Sequence, residues 1–188
     1  CAGDSGLAFV VVQHLSPDCK SRLCELIQRH TPMPVCEAAD QMAVRPNCVF
    51  VIPPNRDLAI VQGKLPVLEP DDPRGQRSPI NFFFRSLAQD QQERSVGVIL
   101  SGMGSDGTLG LRAIKENAGV VLVQDPASAK FDSMPRSAID AGLADIVAPV
   151  DELKESREKV RAFQRSLVWK DLVNESIQGE RPSTTPPR

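Results

Sequence analysis

The stretch that most constrains the fold runs from residue 95 to residue 125, SVGVILSGMGSDGTLGLRAIKENAGVVLVQD. An apolar run at 96–100 predicts a buried strand, and a glycine-rich turn follows it. Apolar residues then recur at helical spacing before a second apolar run at 120–123. Two buried strands joined by a helix form a βαβ unit, whose strands are parallel. We therefore expect a parallel sheet covered by helices.

The rest of the chain repeats this alternation of strand and helix. The sequence predicts an α/β fold, with a doubly wound, mostly parallel sheet, helices on both faces and a small β-hairpin insertion. The hairpin is expected at 57–69, where QGK forms the turn. The three phenylalanines of NFFFRSL are interpreted as core packing. Further strands are predicted at 7–12 and 145–150, and helices at 23–30 and 80–89.

Composition excludes several classes of protein. With 41% hydrophobic and 24% charged residues and a net charge of −2, the chain is typical of a soluble globular protein and gives no reason to expect a nucleic-acid partner. No apolar run approaches the roughly 18 residues needed for a bilayer span, so no membrane insertion is expected. The five cysteines include no C-x-x-C pair and only two histidines accompany them, so a metal site is not expected. Reduced, buried thiols are the interpretation of the cysteines.

Composition also suggests the domain organisation. Residues 1–150 are predicted to form one domain. From Asp151 the chain becomes strongly charged with a narrow apolar stripe, which fits either a helix packed on the domain or a helical linker over 151–178. The last residues, 179–188, are predicted to be disordered.

The glycine-rich turn allows two functional interpretations. Its G-x-G-x-x-G pattern, with Asp125 further on, matches a dinucleotide-binding loop, but Asp106 inside the turn would repel a pyrophosphate. Alternatively, the turn serves to present Asp106 as a functional side chain. Asp106 follows one predicted strand and His14 follows another, so both residues lie beyond the carboxyl ends of strands. A carboxylate that accepts a hydrogen bond from Nδ1 of the imidazole would support His14 as a general base. A surface histidine and a helix-capping aspartate remain the alternative without function.

Four segments, FVVVQHLSPDCKS, VFVIPPN, GVILSGMGSDGTLGL and VQDPASAKFDSMPRSAI, resemble the CheB-type protein-glutamate methylesterase domain of bacterial chemotaxis over about residues 7–150. The resemblance implies a cytoplasmic serine hydrolase that removes methyl esters from glutamates of chemoreceptor helices and deamidates some glutamines. It implies that His14 and Asp106 are the triad histidine and aspartate and that the Met103 backbone N–H stabilises the oxyanion. It implies no cofactor.

The chain departs from that family in one important respect. The nucleophile of the family is a serine in a Gly-x-Ser-x-Gly-Gly-like turn, and no such turn precedes His14. Ser5 and Ser16 fit that role poorly. We expect the nucleophile, with the first strand and helix of the domain, to lie outside this chain. Without a nucleophile, activity should be lower by about four to six orders of magnitude. A catalytically inactive domain that binds a receptor or a partner is the alternative.

Two more residues come from the same resemblance. Asn81 stands where related hybrid proteins are expected to have an aspartate, and Arg136 lies in the MPRSAI segment as a candidate receptor or active-site contact. The sequences of these motifs are most similar to those of CheB–CheR hybrids. This similarity implies a CheR-type methyltransferase domain in the same polypeptide.

Overall fold

The computed structural model divides the chain into two units, Cys1–Lys154 and Glu155–Arg188. It describes residues 6–14, 22–70 and 77–153, all of which belong to the first unit. The predicted linker at 151–178 lies outside the described residues except for its first three positions, and the predicted tail at 179–188 lies outside them completely.

Apolar runs of the sequence form short strands and intervening helices. The described strands, in chain order, are β1 (Phe9–Val11), β2 (Val35–Glu37), β3 (Met42–Ala43), β4 (Val49–Val51), β5 (Asp57–Leu58), β6 (Lys64–Leu65), β7 (Val67–Leu68), β8 (Val96–Ile99), β9 (Val120–Gln124) and β10 (Ile146–Ala148). The described α-helices are α1 (Leu23–Gln28), α2 (Pro79–Gln91), α3 (Thr108–Glu116), α4 (Ser133–Asp140) and α5 (Val150–Leu153).

Two three-stranded sheets form the frame of the described unit, one in the order β1-β4-β2 and the other in the order β10-β9-β8. Every pairing within them is parallel. The predicted βαβ unit is the pair β8 and β9 joined by α3, with Val96 opposite Val120. The expected doubly wound α/β fold is therefore confirmed.

The core lies between these sheets and the helices packed on them. All five residues of β9 are buried, as strands covered on both faces should be. Leu111 and Ile114 of α3 are completely buried. Of the three phenylalanines, Phe83 and Phe84 belong to the core while Phe82 is 41% exposed, so core packing is correct for two of the three.

The predicted hairpin at 57–69 is correct in its outer pairing. β5 and β7 pair antiparallel, with Asp57 opposite Leu68, and Val61 bridges Lys64 around the tight turn at Gln62 and Gly63. β6, which begins at Lys64 of this inner bridge, also pairs antiparallel with β3. The insertion is therefore a small double ribbon.

Each three-stranded sheet ends in a parallel strand with an open edge. Among the described residues, β1 pairs only with β4, and β8 pairs only with β9. The apolar residues Val98 and Leu100, in and just after β8, are 41% and 46% exposed. Parallel strands are normally covered on both faces and paired on both sides unless they are edge strands. Within the described residues, the four edge strands β1, β2, β8 and β10 are therefore paired on one side only, and β8 carries exposed apolar residues.

Candidate active site

The structure brings His14 and Asp106 together, although 92 residues separate them. His14 follows β1 and Asp106 lies in the turn between β8 and α3. Nε2 of His14 lies 2.9 Å from Oδ2 of Asp106. The imidazole is 54% exposed, whereas the carboxylate is only 11% exposed. The pair therefore has a fixed, sheltered acid and an accessible base.

The orientation of the imidazole differs from the expectation. The general-base interpretation placed Asp106 at Nδ1, but in the structure the carboxylate meets Nε2. Nε2 is the ring nitrogen farther from the backbone, so His14 reaches Asp106 with the end of its side chain. A ring that donates Nε2–H to the carboxylate leaves Nδ1 as the proton acceptor.

The surroundings of His14 favour its protonated form. The hydrogen bond that the imidazole donates to Asp106 is the main cause that raises the pKa of His14 above its ordinary value of 6.5, and the negative charges of Asp106 and Asp57 act in the same direction. Partial burial opposes them because it penalises the charged form. The net effect is a raised pKa, so the protonated form of His14 persists to a higher pH than in an ordinary histidine.

Asp106 is held by a helix as well as by His14. Its carboxylate accepts hydrogen bonds from the backbone N–H groups of Ile80, at 3.1 Å, and Asn81, at 3.0 Å. Both belong to the first turn of α2, where N–H groups have no partner within the helix. The positive end of the α2 dipole also favours a negative charge at this position. Asp106 is therefore the N-terminal cap of a helix distant in sequence.

Asn81 was not among the residues predicted to be catalytic, yet it connects α2 to the turn that carries Asp106. Its Oδ1 accepts from the backbone N–H groups of Gly107, at 3.0 Å, and Gly110, at 2.8 Å. The residue is 8% exposed. One sequence signal could have found it. Asn81 shares the helical face of Phe84 and Ala88, which both belong to the core, and a polar residue on an apolar face needs buried partners.

Met103 lies in a tightly held turn. The neighbouring backbone N–H groups are bound, that of Gly102 to the carbonyl oxygen of Phe131 and that of Gly104 to Oγ of Ser133, each at 3.0 Å. Among the described residues, the Met103 N–H has no hydrogen-bond acceptor. Its side chain is 73% exposed. The Met103 N–H is therefore available as a backbone donor beside the strand ends.

Arg136 has a different partner. Its Nε lies 2.6 Å from Oδ2 of Asp132 in an exposed pair on α4. The hydrogen bond lowers the pKa of Asp132 and raises that of Arg136. No hydrogen bond or ion pair joins Arg136 to His14 or Asp106, so a role in receptor contact remains a prediction. Ser5 and Ser16 lie outside the described residues.

The geometry favours a catalytic turn over a nucleotide-binding one. A phosphate would need free N–H groups at the start of α3, but those of Gly107 and Gly110 are already bound by Asn81. The adjacent carboxylate of Asp106 would also repel an anion.

In the described ranges, no group of three or more His, Cys, Asp or Glu residues is placed to hold a metal ion. The described cysteines, Cys24, Cys36 and Cys48, are free and half-buried.

Fold and site together define a doubly wound α/β protein with a histidine–aspartate pair beyond the carboxyl ends of two parallel strands. The family model for the CheB methylesterase matches residues 1–156. The crystal structure of the Thermotoga maritima CheB methylesterase catalytic domain is similar, with a TM-score of 0.74 at 30% identity over 80% of this chain and 82% of that one. The chain belongs to the CheB methylesterase family.

Curated relatives agree with this assignment. The protein-glutamate methylesterase/protein-glutamine glutaminase of Trichodesmium erythraeum is 35% identical over 151 residues, which cover 78% of this chain and 43% of that protein. An uncharacterized 104.1 kDa protein of Rhodobacter capsulatus is 41% identical over 131 residues, 70% of this chain but 14% of that protein. The chain thus spans less than half the length of these two relatives. In the described residues, no helix is both long and apolar enough to cross a membrane.

Proposed function

We propose that this chain is part of a protein-glutamate methylesterase that also deamidates glutamine. In this proposal His14 is the general base, and the carboxylate of Asp106 orients its imidazole. The observation that carries the proposal is the 2.9 Å contact between these two side chains beyond the strand ends. The family membership and the name of the Trichodesmium relative point to the same reaction.

The proposed reaction needs a serine from outside this chain. His14 Nδ1 accepts the serine proton while Oγ attacks the ester carbonyl carbon, and the protonated imidazole then gives that proton to the departing methoxide, which leaves as methanol. Water hydrolyses the acyl-enzyme by the same proton transfers and releases glutamate. The free N–H of Met103 is proposed to stabilise the oxyanion in both steps. Asp106 stabilises the imidazolium formed each time.

The open edges of β1 and β8 support a further strand that carries this serine. His14 follows β1 and Asp106 follows β8, and both strands have an unpaired edge among the described residues. A parallel strand paired with both edges would end beside the histidine–aspartate pair. We propose that the segment before this chain supplies that strand and helix.

The proposed partners are methylated helices of cytoplasmic chemoreceptor domains, with Arg136 as a candidate contact. A CheR-type methyltransferase domain in the same polypeptide, reached through the linker at 151–178, is also proposed. We propose a cytoplasmic location, since the substrate would lie there.

The test is methanol release from a methylated receptor fragment by the natural polypeptide that contains this chain, together with the coding sequence upstream of Cys1. We expect a Gly-x-Ser-x-Gly-Gly-like turn some 25 to 35 residues before His14, and activity that His14→Gln lowers by about 10⁴-fold or more. If the natural polypeptide has no such turn and binds the receptor without releasing methanol, the chain is an inactive binding domain.

A further inference from the structure

Asn81 is a buried polar residue that no step of the proposed hydrolysis uses. Through its backbone N–H it contacts the carboxylate of Asp106, and through its side chain it contacts the first turn of α3. These three hydrogen bonds are between 2.8 and 3.0 Å. One residue therefore binds both the proposed acid and the helix that begins directly after it.

The bonds form a closed, reciprocal arrangement. Asp106, which precedes α3, accepts from the first turn of α2, and Asn81, in the first turn of α2, accepts from the start of α3. Asp106 thus satisfies N–H groups at the start of α2, and Asn81 satisfies N–H groups at the start of α3, an arrangement that we call the double cap. The Asp106 carboxylate cannot move away from His14 without breaking bonds at the start of α2.

A glycine allows this close approach. A Cβ on Gly110 would lie 2.5 Å from Cβ of Phe84 and 3.0 Å from Cα of Asn81. Distances below 3.0 Å are not tolerated between such atoms, so a larger residue would push α3 away from α2. The crossing of these helices therefore holds Asn81 at hydrogen-bond distance from α3.

Asn81 is uncharged, and this affects the electrostatic environment of the histidine–aspartate pair. An amide oxygen binds the two N–H groups without placing a second negative charge near Asp106. A carboxylate here would add to the charges of Asp106 and Asp57 that act on the His14 imidazole.

We propose that Asn81 is a positioning residue of the histidine–aspartate pair, which fixes the Asp106 carboxylate at His14 Nε2 through the double cap and limits the negative charge there. The purpose of the pair rests on the proposed function, but its geometry does not. The inference can therefore be tested without ester hydrolysis.

The experiment is an NMR titration of the His14 ring protons in the 188-residue chain, with its other histidine, His30, as internal reference. Asn81→Ala removes the acceptor, loosens Asp106 and should lower the His14 midpoint by about 0.5 pH unit. Asn81→Asp keeps both hydrogen bonds, adds a charge and should raise it. The control is Ser95→Ala, at the opposite end of β8, which removes a buried hydroxyl and should leave the midpoint unchanged.

The opposite signs separate positioning from a purely structural role. If both Asn81 variants titrate like the wild type while their melting temperatures fall, the proposal is wrong. If Asn81→Ala does not fold, Asn81→Asp decides alone, and a midpoint that stays or falls overturns the proposal. Shifted midpoints with no methanol release from the natural polypeptide would refute the proposed function and leave this inference standing.

Discussion

Asp106→Ala should destabilise the fold as well as remove the proposed acid. The carboxylate accepts from the backbone N–H groups of Ile80 and Asn81 at the start of α2. Alanine offers no acceptor, and both residues are buried at 8% exposure, so water reaches these N–H groups poorly. The substitution therefore leaves two donors of α2 without partners.

The size of the effect follows from these two bonds. Loss of an N-terminal cap costs about 0.5–2 kcal/mol, and a buried donor without a partner costs about 1–3 kcal/mol. The two estimates overlap because they count the same groups, and lost bonds to His14 are partly replaced by water. We expect a loss of about 2 kcal/mol in the free energy of unfolding. For a domain of this size that loss lowers the melting temperature by about 4–8 °C.

Thermal and urea unfolding followed by circular dichroism measure this loss. The matched control is Asp132→Ala, because Asp132 also precedes a helix but makes no capping hydrogen bond and is partly exposed. It should melt close to the wild type, because it loses only the surface ion pair with Arg136. Many active-site groups are strained, so that their removal stabilises a protein. An Asp106→Ala variant as stable as the wild type, or more stable, would refute the capping argument.

Three further outcomes are expected. Gly110→Ala should cost about 2 kcal/mol in urea unfolding, since overpacking outweighs the gain in helix propensity, while the exposed Arg112→Ala on the same helix should cost little. Nitrogen-15 NMR above the His14 pKa should find the proton on Nε2; a proton on Nδ1 would contradict the observed ring orientation. Because the folded-state pKa of His14 is raised, its pairing stabilises the fold fully below about pH 6.5 and less as pH rises through that pKa, so His14→Gln should destabilise more at about pH 6 than at about pH 9.

Local patterns were sufficient to predict much of the fold. β8, α3 and β9 follow one another within 29 residues, and each has its own periodicity, so their order and type could be read directly. The meeting of His14 with Asp106 was also predictable, because functional groups of parallel sheets gather beyond the carboxyl ends of strands.

Features set by contacts between distant elements could not be predicted. The pairing of β6 with β3 depends on how the insertion folds back, and two-residue strands carry no periodicity. The partners of Asn81 depend on the crossing of α2 and α3, which no local pattern encodes. The ring nitrogen that meets Asp106 depends on the distance between two loops, and sequence spacing does not fix that distance.

Because of the double cap, the presence of an aspartate at position 106 is not by itself evidence of catalytic activity. A homologue that lost its nucleophile would still need Asp106 to complete the first turn of α2 and keep its melting temperature. Selection for folding alone would then preserve the residue long after selection for turnover had ended. Where the double cap is present, Asp106 is consequently a poor marker of an active enzyme, and His14, whose side chain is 54% exposed, is the better one.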